Sequence, residues 1–171
     1  MARAEAKPLA LENVDPLQLL DDALLEIAPQ AQRKPVHLER GAAVQVPALR
    51  VERPLLLRAL GNLLNNAVKF SPSGAPVTAT VATRDGYCIF SVQDRGPGIA
   101  QEDLARLFQR YHRVESGSVM RLQPGVGLGL VFVDAVARRH GGRVSVESRL
   151  GEGSRFELWI PLPAAGSRSG G

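Results

Sequence analysis

Apolar residues recur at helical spacing in two stretches of the chain, and a third helix is read further on. In the first, Leu17, Leu20, Leu24 and Ile27 form one face that Ala31 extends. Asp15-Pro16 is a good start signal for it, since Asp caps the free N–H groups and Pro fits the first helical position. Lys34-Pro35 ends it. In the second, from about Pro54 to Phe70, Leu56, Leu57, Leu60, Leu63, Leu64, Ala67 and Val68 make a broad stripe that Ser71-Pro72-Ser73-Gly74 stops. The third runs from about Gly127 to His140 and is closed by Gly141-Gly142. Between them the pattern is that of strands: Val36 to Arg40 and Ala43 to Val46 around Gly41, then Val77 to Thr83 and Tyr87 to Gln93, then Arg143 to Ser148 and Ser154 to Leu162. Asp85-Gly86 is a tight-hairpin signal. Residues 94–99 read as a glycine-rich turn, 101–108 as a short helix and 112–126 as a loop; residues 1–14 have no strong period. This order predicts an α+β fold. It is a two-layer α/β sandwich, with one mixed, mostly antiparallel sheet and helices on one face.

Composition narrows the class. The chain has 171 residues, 44% of them apolar and 22% charged, as expected of one globular domain with a sizeable core. The reading divides it into a lead-in over 1–10, one domain over 11–163 and a small, polar, flexible tail over 164–171. No apolar run is long enough to span a bilayer, and the N-terminus lacks the apolar segment of a signal peptide. A cytoplasmic domain without membrane contact of its own is therefore expected. Cys88 is the only cysteine, so no internal disulfide or cysteine-based zinc cluster is possible; its apolar neighbours predict a buried structural thiol. The net charge of +4 suits polyphosphate, but no basic run is interleaved with aromatics, so nucleic acid is not the expected partner.

Four segments could carry chemistry. Asn62, Asn66 and Lys69 stand at i, i+4 and i+7 and so share a helix face. Asparagine is a poor choice inside a helix. Two accounts fit: a solvated face opposite the leucine stripe, or a ligand-facing edge. On the second, an amide oxygen binds Mg²⁺ while phosphate supplies the charge, and Lys69 stands near the phosphates. Asp94-Arg95-Gly96-Pro97-Gly98-Ile99 follows a strand. It is either a tight turn or a place where a flat ligand nears the backbone and Asp94 accepts from an exocyclic amine. Gly125-Val126-Gly127-Leu128-Gly129-Leu130 opens a helix, where free N–H groups suit phosphate. Its spacing is neither that of a dinucleotide fold nor that of a P-loop. Gly151-Glu152-Gly153-Ser154-Arg155-Phe156 alone is a plain hairpin turn.

In this order the segments resemble the nucleotide-binding boxes of the GHKL superfamily, and most closely those of sensor histidine kinases. Asn62 to Phe70 is similar to the asparagine box and Asp94 to Ile99 to the first glycine box. Leu107-Phe108-Gln109-Arg110-Tyr111-His112-Arg113 is similar to the phenylalanine box, and Gly125 to Leu130 and Gly151 to Phe156 to further glycine boxes. The resemblance covers about Leu11 to Leu162 and implies a Bergerat fold that takes ATP and Mg²⁺. Asn66 would be the metal ligand, with Asn62 in support and Lys69 on phosphate. Phe70 would pack near the adenosine, and Phe108 and Ile99 would lie in the boxes around it. Asp94 would read the adenine amine, with Gly96 and Gly98 giving room and the Ser154 hydroxyl helping. Residues 112–126 would be a lid, with Gly125, Val126, Gly127, Leu128 and Gly129 at its base and Arg113 toward the terminal phosphate.

In the superfamily this chain resembles, the ATP-hydrolysing members carry a glutamate, the base that activates water, four residues before the metal asparagine; here Asn62 stands there. The resemblance thus implies phosphoryl transfer to a histidine, followed by a response regulator downstream. His37, His112 and His140 lack the family's phosphoacceptor pattern. The acceptor is expected on a separate dimerisation domain, of a longer parent or of another chain, and this domain alone is expected to be a monomer. The alternatives are a GHKL ATPase, against which Asn62 argues, and a non-catalytic regulator of the same fold that binds a partner protein.

Overall fold

A computed structural model of the chain describes residues 7–42, 44–104 and 126–164. The elements in order are β1 (Glu12–Val14), α1 (Pro16–Arg33), β2 (His37–Arg40), β3 (Leu49–Val51), α2 (Arg53–Phe70), β4 (Pro76–Arg84), β5 (Tyr87–Asp94), α3 (Val126–Arg139), β6 (Arg143–Arg149) and β7 (Gly153–Pro161). Residues 101–104 form a helical turn. Five strands make one sheet in the order β2-β4-β5-β7-β6. All neighbours are antiparallel except β2 and β4, whose parallel pairing is possible because a long connection containing α2 joins them. The three helices lie on one face, as the sequence predicts.

The local signals act as read. The Asp15 carboxylate accepts from the Leu17 N–H at 3.0 Å and Pro16 opens α1. Asp85 and Gly86 both take positive φ, at 54° and 83°, the geometry of a two-residue hairpin. Alternate residues of the central strands face the helices, although Ile89 of β5 and Trp159 of β7, outside that row, are buried too. Val77, Ala79 and Val81 of β4, Cys88, Phe90 and Val92 of β5, and Phe156, Leu158 and Ile160 of β7 turn inward and are buried. They meet Leu56, Leu60, Leu63 and Leu64 of α2 and Leu130, Val133 and Val136 of α3 in one core.

One expectation fails. No strand occupies 44–46; instead β3 lies at Leu49–Val51 and pairs antiparallel with β1, in the stretch expected to have no element. Val46 is buried, so its apolar character reports burial and not pairing. Pro47, which has no N–H to donate, stands against a ladder there. β1 is only three residues long, too short for a period to be read.

Candidate functional site

The inward alternation of the sheet does not stop at its apolar rows. Asp94 is the next inward position of β5 after Val92, and it lies opposite Ser154 of β7, which lies opposite Ser148 of β6. Three neighbouring strands thus end in a row of three buried polar side chains. A buried polar group is stable only when bonded, and these are. The Asp94 carboxylate accepts from the Gly96 N–H at 2.8 Å and from the backbone of Ser154. Burial pushes its pKa above the ordinary carboxylate value, and these two N–H groups pull it back in part. Ser148 Oγ accepts from the Ile99 N–H at 2.8 Å, donates to the Gly153 carbonyl at 2.9 Å and stands 2.7 Å from Ser154 Oγ.

The loop after β5 is folded back by its glycines. At Gly98 φ is +76°, and a Cβ there would lie 2.0 Å from the Arg149 carbonyl oxygen. At Gly96 a Cβ would lie 2.5 Å from the carbonyl oxygen of Phe70, the last residue of α2. The space these glycines free is therefore taken in the first instance by the chain's own backbone. Gly96 seats the loop on α2, Gly98 seats it on β6, and the Gly151 N–H donates to the Pro97 carbonyl at 2.7 Å.

The third wall is α2. Asn66 is buried and half-buried Asn62 lies one turn before it, while Asn65 and Lys69 are exposed. The solvated-face account therefore holds for Asn65 but not for Asn66. The two inward asparagines meet the first turn of α3. Asn62 Nδ2 donates a long bond, 3.4 Å, to the Gly129 carbonyl, and a Cβ on Gly129 would lie 3.4 Å from Asn66 Nδ2. Lys69 Nζ stands 5.7 Å from the centre of the Phe70 ring. The Lys69 carbonyl accepts from Lys34 Nζ, which fastens the end of α2 to the end of α1.

A cleft joins these walls. It is lined by Asn66 and Phe70 of α2, Asp94, Pro97, Gly98 and Ile99 of β5 and its loop, and Ser154 and Phe156 of β7. Of the predicted site residues, Asn66, Phe70, Asp94, Gly98, Ile99 and Ser154 line it, and Asn62, Gly96 and Gly129 stand beside them. Phe108, Arg113 and Gly125 lie outside the described residues, as do the side chains of Val126, Gly127 and Leu128 in the first turn of α3. A larger, open groove beyond the β6–β7 end, between Gln93, Gln101, Glu147, Arg149 and Arg155, lacks Asn66 and Asp94, so the candidate chemistry belongs to the smaller cleft.

Two residues here carry no sequence signal of their own. Ser148 reads as an ordinary strand residue. His140 reads only as a helix end, yet its Nε2 accepts from the Glu52 N–H at 3.1 Å while Nδ1 stands 2.8 Å from the Val136 carbonyl. An amide can only donate and a carbonyl only accept, so the ring is the neutral Nδ1–H tautomer. It fills the place of a cap on α2, whose N-cap Glu52 makes no side-chain bond of that kind.

Among the described residues no group of three or more His, Cys, Asp or Glu could hold a metal ion. A cation beside Asn66 would meet a neutral amide and draw its charge from a bound anion. That donor set suits Mg²⁺ held largely by phosphate and water. Cys88 is buried and its thiol is pushed up to about 12 by burial, which makes it inert. No described helix is long and apolar enough to cross a membrane.

The profile of the histidine kinase-, DNA gyrase B- and HSP90-like ATPases matches residues 51–164. The chain is 35% identical over 151 residues to the sensor-like histidine kinase SenX3 of Mycolicibacterium smegmatis, covering 88% of this chain and 39% of that protein. It is 33% identical over 164 residues to the histidine protein kinase DivJ of Caulobacter vibrioides, covering 95% of this chain and 27% of that one. The chain thus spans well under half the length of these relatives. Among solved structures, full-length ShkA in complex with AMPPNP superposes with a TM-score of 0.80 at 31% identity, covering 95% of this chain and 33% of that one. The mycobacterial sensor histidine kinase MprB superposes with a TM-score of 0.72 at 28% identity, covering 90% of this chain and 98% of that one.

Proposed function

The chain belongs to the family of histidine kinase-, DNA gyrase B- and HSP90-like ATPases, and we propose that it is the catalytic domain of a sensor histidine kinase. On this reading it binds Mg·ATP and delivers the γ-phosphate to a histidine on a separate dimerisation domain. One observation carries this reading: α2, the end of β5 and the start of β7 bring Asn66, Asp94 and Ser154 to one cleft.

The roles follow from the chemistry of each group. Asp94 offers only acceptors while ionised, so it takes the adenine amine. Phe70, Ile99 and Phe156 give the flat base an apolar slot. Asn66 holds Mg²⁺ through its amide oxygen, Asn62 supports the phosphate end and exposed Lys69 meets the phosphates as a point charge. When bound, Mg²⁺ offsets the negative charge of the triphosphate. The first turn of α3, packed on Asn62 and Asn66 through Gly129, would offer free N–H groups to that end. Phosphoryl transfer needs positioning and charge more than covalent chemistry from the protein. Asn62 cannot take a proton from water, so the cleft favours transfer to a histidine supplied from outside over hydrolysis. A response regulator then receives the phosphate. The domain works on the cytoplasmic side and is a monomer when isolated.

Calorimetric titration of ATP, with and without Mg²⁺, into the wild-type chain and Asp94→Asn tests the reading. The expected result is binding that Mg²⁺ strengthens and the substitution weakens by roughly 10- to 100-fold. A folded wild-type chain that takes up no ATP would sink the kinase reading and leave a partner-binding regulator in its place. Rapid steady turnover of ATP without an acceptor domain would instead favour an ATPase.

A further inference from the structure

Hydrogen-bonded to Ser154, which lines the cleft, is a residue of the neighbouring groove whose position matters more than its ordinary place in a strand suggests. Ser148 Oγ has one proton to donate and two lone pairs to accept with. All three are engaged. It accepts from the Ile99 N–H at 2.8 Å and donates to the Gly153 carbonyl at 2.9 Å. The remaining contact, 2.7 Å to Ser154 Oγ, then has to be donated by Ser154. Any other assignment leaves a Ser148 lone pair idle and withdraws the proton from Gly153, both in a buried site.

These bonds decide what Ser154 shows the cleft. With its proton held by Ser148, its hydroxyl presents lone pairs alone. Asp94 beside it also presents acceptors alone, since its own bonds come from the N–H groups of Gly96 and Ser154. Accepting on the premise that the cleft takes a purine nucleotide, we infer that Ser148 is a positioning residue for base selection. It orients the Ser154 hydroxyl as an acceptor, so that this edge of the cleft receives a 6-amino purine and repels a 6-oxo purine. A 6-amino group brings two N–H donors to two acceptors. A 6-oxo group brings a further acceptor, and buried acceptors facing one another stay unpaired. Without Ser148 the Ser154 proton is free to turn into the cleft, where it bonds a 6-oxo group or blocks Asp94.

The test compares ATP with inosine 5′-triphosphate by calorimetry on the intact chain. The wild type is expected to prefer ATP by roughly tenfold or more, the scale of one lost bond to a charged group. Ser148→Ala is expected to shrink that ratio several-fold, by weakening ATP while sparing or improving inosine triphosphate. Ser148→Thr, which keeps the hydroxyl, should restore the wild-type ratio. In a Ser154→Ala background, Ser148→Ala should leave the ratio where Ser154→Ala put it, because the group it orients is gone. A Ser148→Ala chain that loses affinity for both nucleotides equally has lost only stability, and the inference falls while the ATP-binding reading stands. If Ser148→Ala does not fold, Ser154→Ala decides: an unchanged ratio there overturns the inference. A wild type that binds neither nucleotide, or both alike, overturns the adenine-reading role itself.

Discussion

The two ends of the cleft are built on different terms. At the base end, every polar group has a protein partner: Asp94 has two backbone donors, Ser148 has three bonds, and the loop between is seated by glycines on α2 and β6. At the proposed phosphate end, Asn62 makes one long bond to Gly129 and Lys69 is exposed. The base end is preorganised by the sheet, whereas the phosphate end, on the proposed reading, is completed by a charged ligand. Specificity should therefore reside in the first, and dependence on the metal in the second.

The largest expected effect separates binding from stability. Asp94→Asn should weaken ATP by roughly 10- to 100-fold, the cost of a charged hydrogen bond, while its melting temperature stays level or rises. Burial raises the folded-state pKa of Asp94 above the unfolded value, so this group favours the fold at acid pH and the benefit is lost as pH rises through the raised value. At neutral pH its charge opposes folding, and a neutral amide removes that cost. A clear fall in melting temperature would show that the base end is held together by Asp94 rather than strained by it. The same shift predicts that wild-type affinity for ATP declines as pH drops toward that raised value, because protonated Asp94 donates where it should accept. Asp94→Asn should flatten the profile.

Next comes the seating of the loop. Gly98→Ala puts a side chain at positive φ against the Arg149 carbonyl and should cost about 2 kcal/mol, or several degrees of melting temperature. If Gly98→Ala left stability unchanged, the base end would be looser than its contacts imply. Asn66→Ala should act at the other end. It removes most of the Mg²⁺-dependent gain in ATP affinity, a loss of roughly tenfold, and leaves binding in the presence of a chelator near the wild-type value. Equal loss with and without Mg²⁺ would move Asn66 from the metal to the base. The smallest effect belongs to His140→Ala, which leaves the Glu52 N–H without its acceptor. It should cost about 1 kcal/mol in thermal denaturation and leave the preference for ATP over inosine triphosphate unchanged.

Much of this was legible in the chain. Helical spacing marked α1 and α2, Gly141-Gly142 marked the end of α3, and Asp85-Gly86 marked the β4–β5 hairpin, because these signals act between residues close in sequence. Asn66 stood out because an asparagine inside a helix is costly unless something is gained, and Asp94 because it stands beside two glycines directly after a strand. The β1–β3 pair was not legible. Its strands are three residues long and their partners lie some forty positions apart, so nothing local specifies them.

What the sequence determined by itself was the periodicity of each element and the residue types at each box, since both follow from short-range geometry. Only the tertiary structure decided that Gly96 and Gly98 make room first for the chain's own carbonyls. It alone brought the Ser148 and Ser154 hydroxyls within 2.7 Å of each other and set His140 against the N-cap of α2, 88 residues earlier. These are matters of where donors and acceptors from distant segments meet in a dry interior, and a hydrogen bond is fixed by that meeting rather than by spacing along the chain.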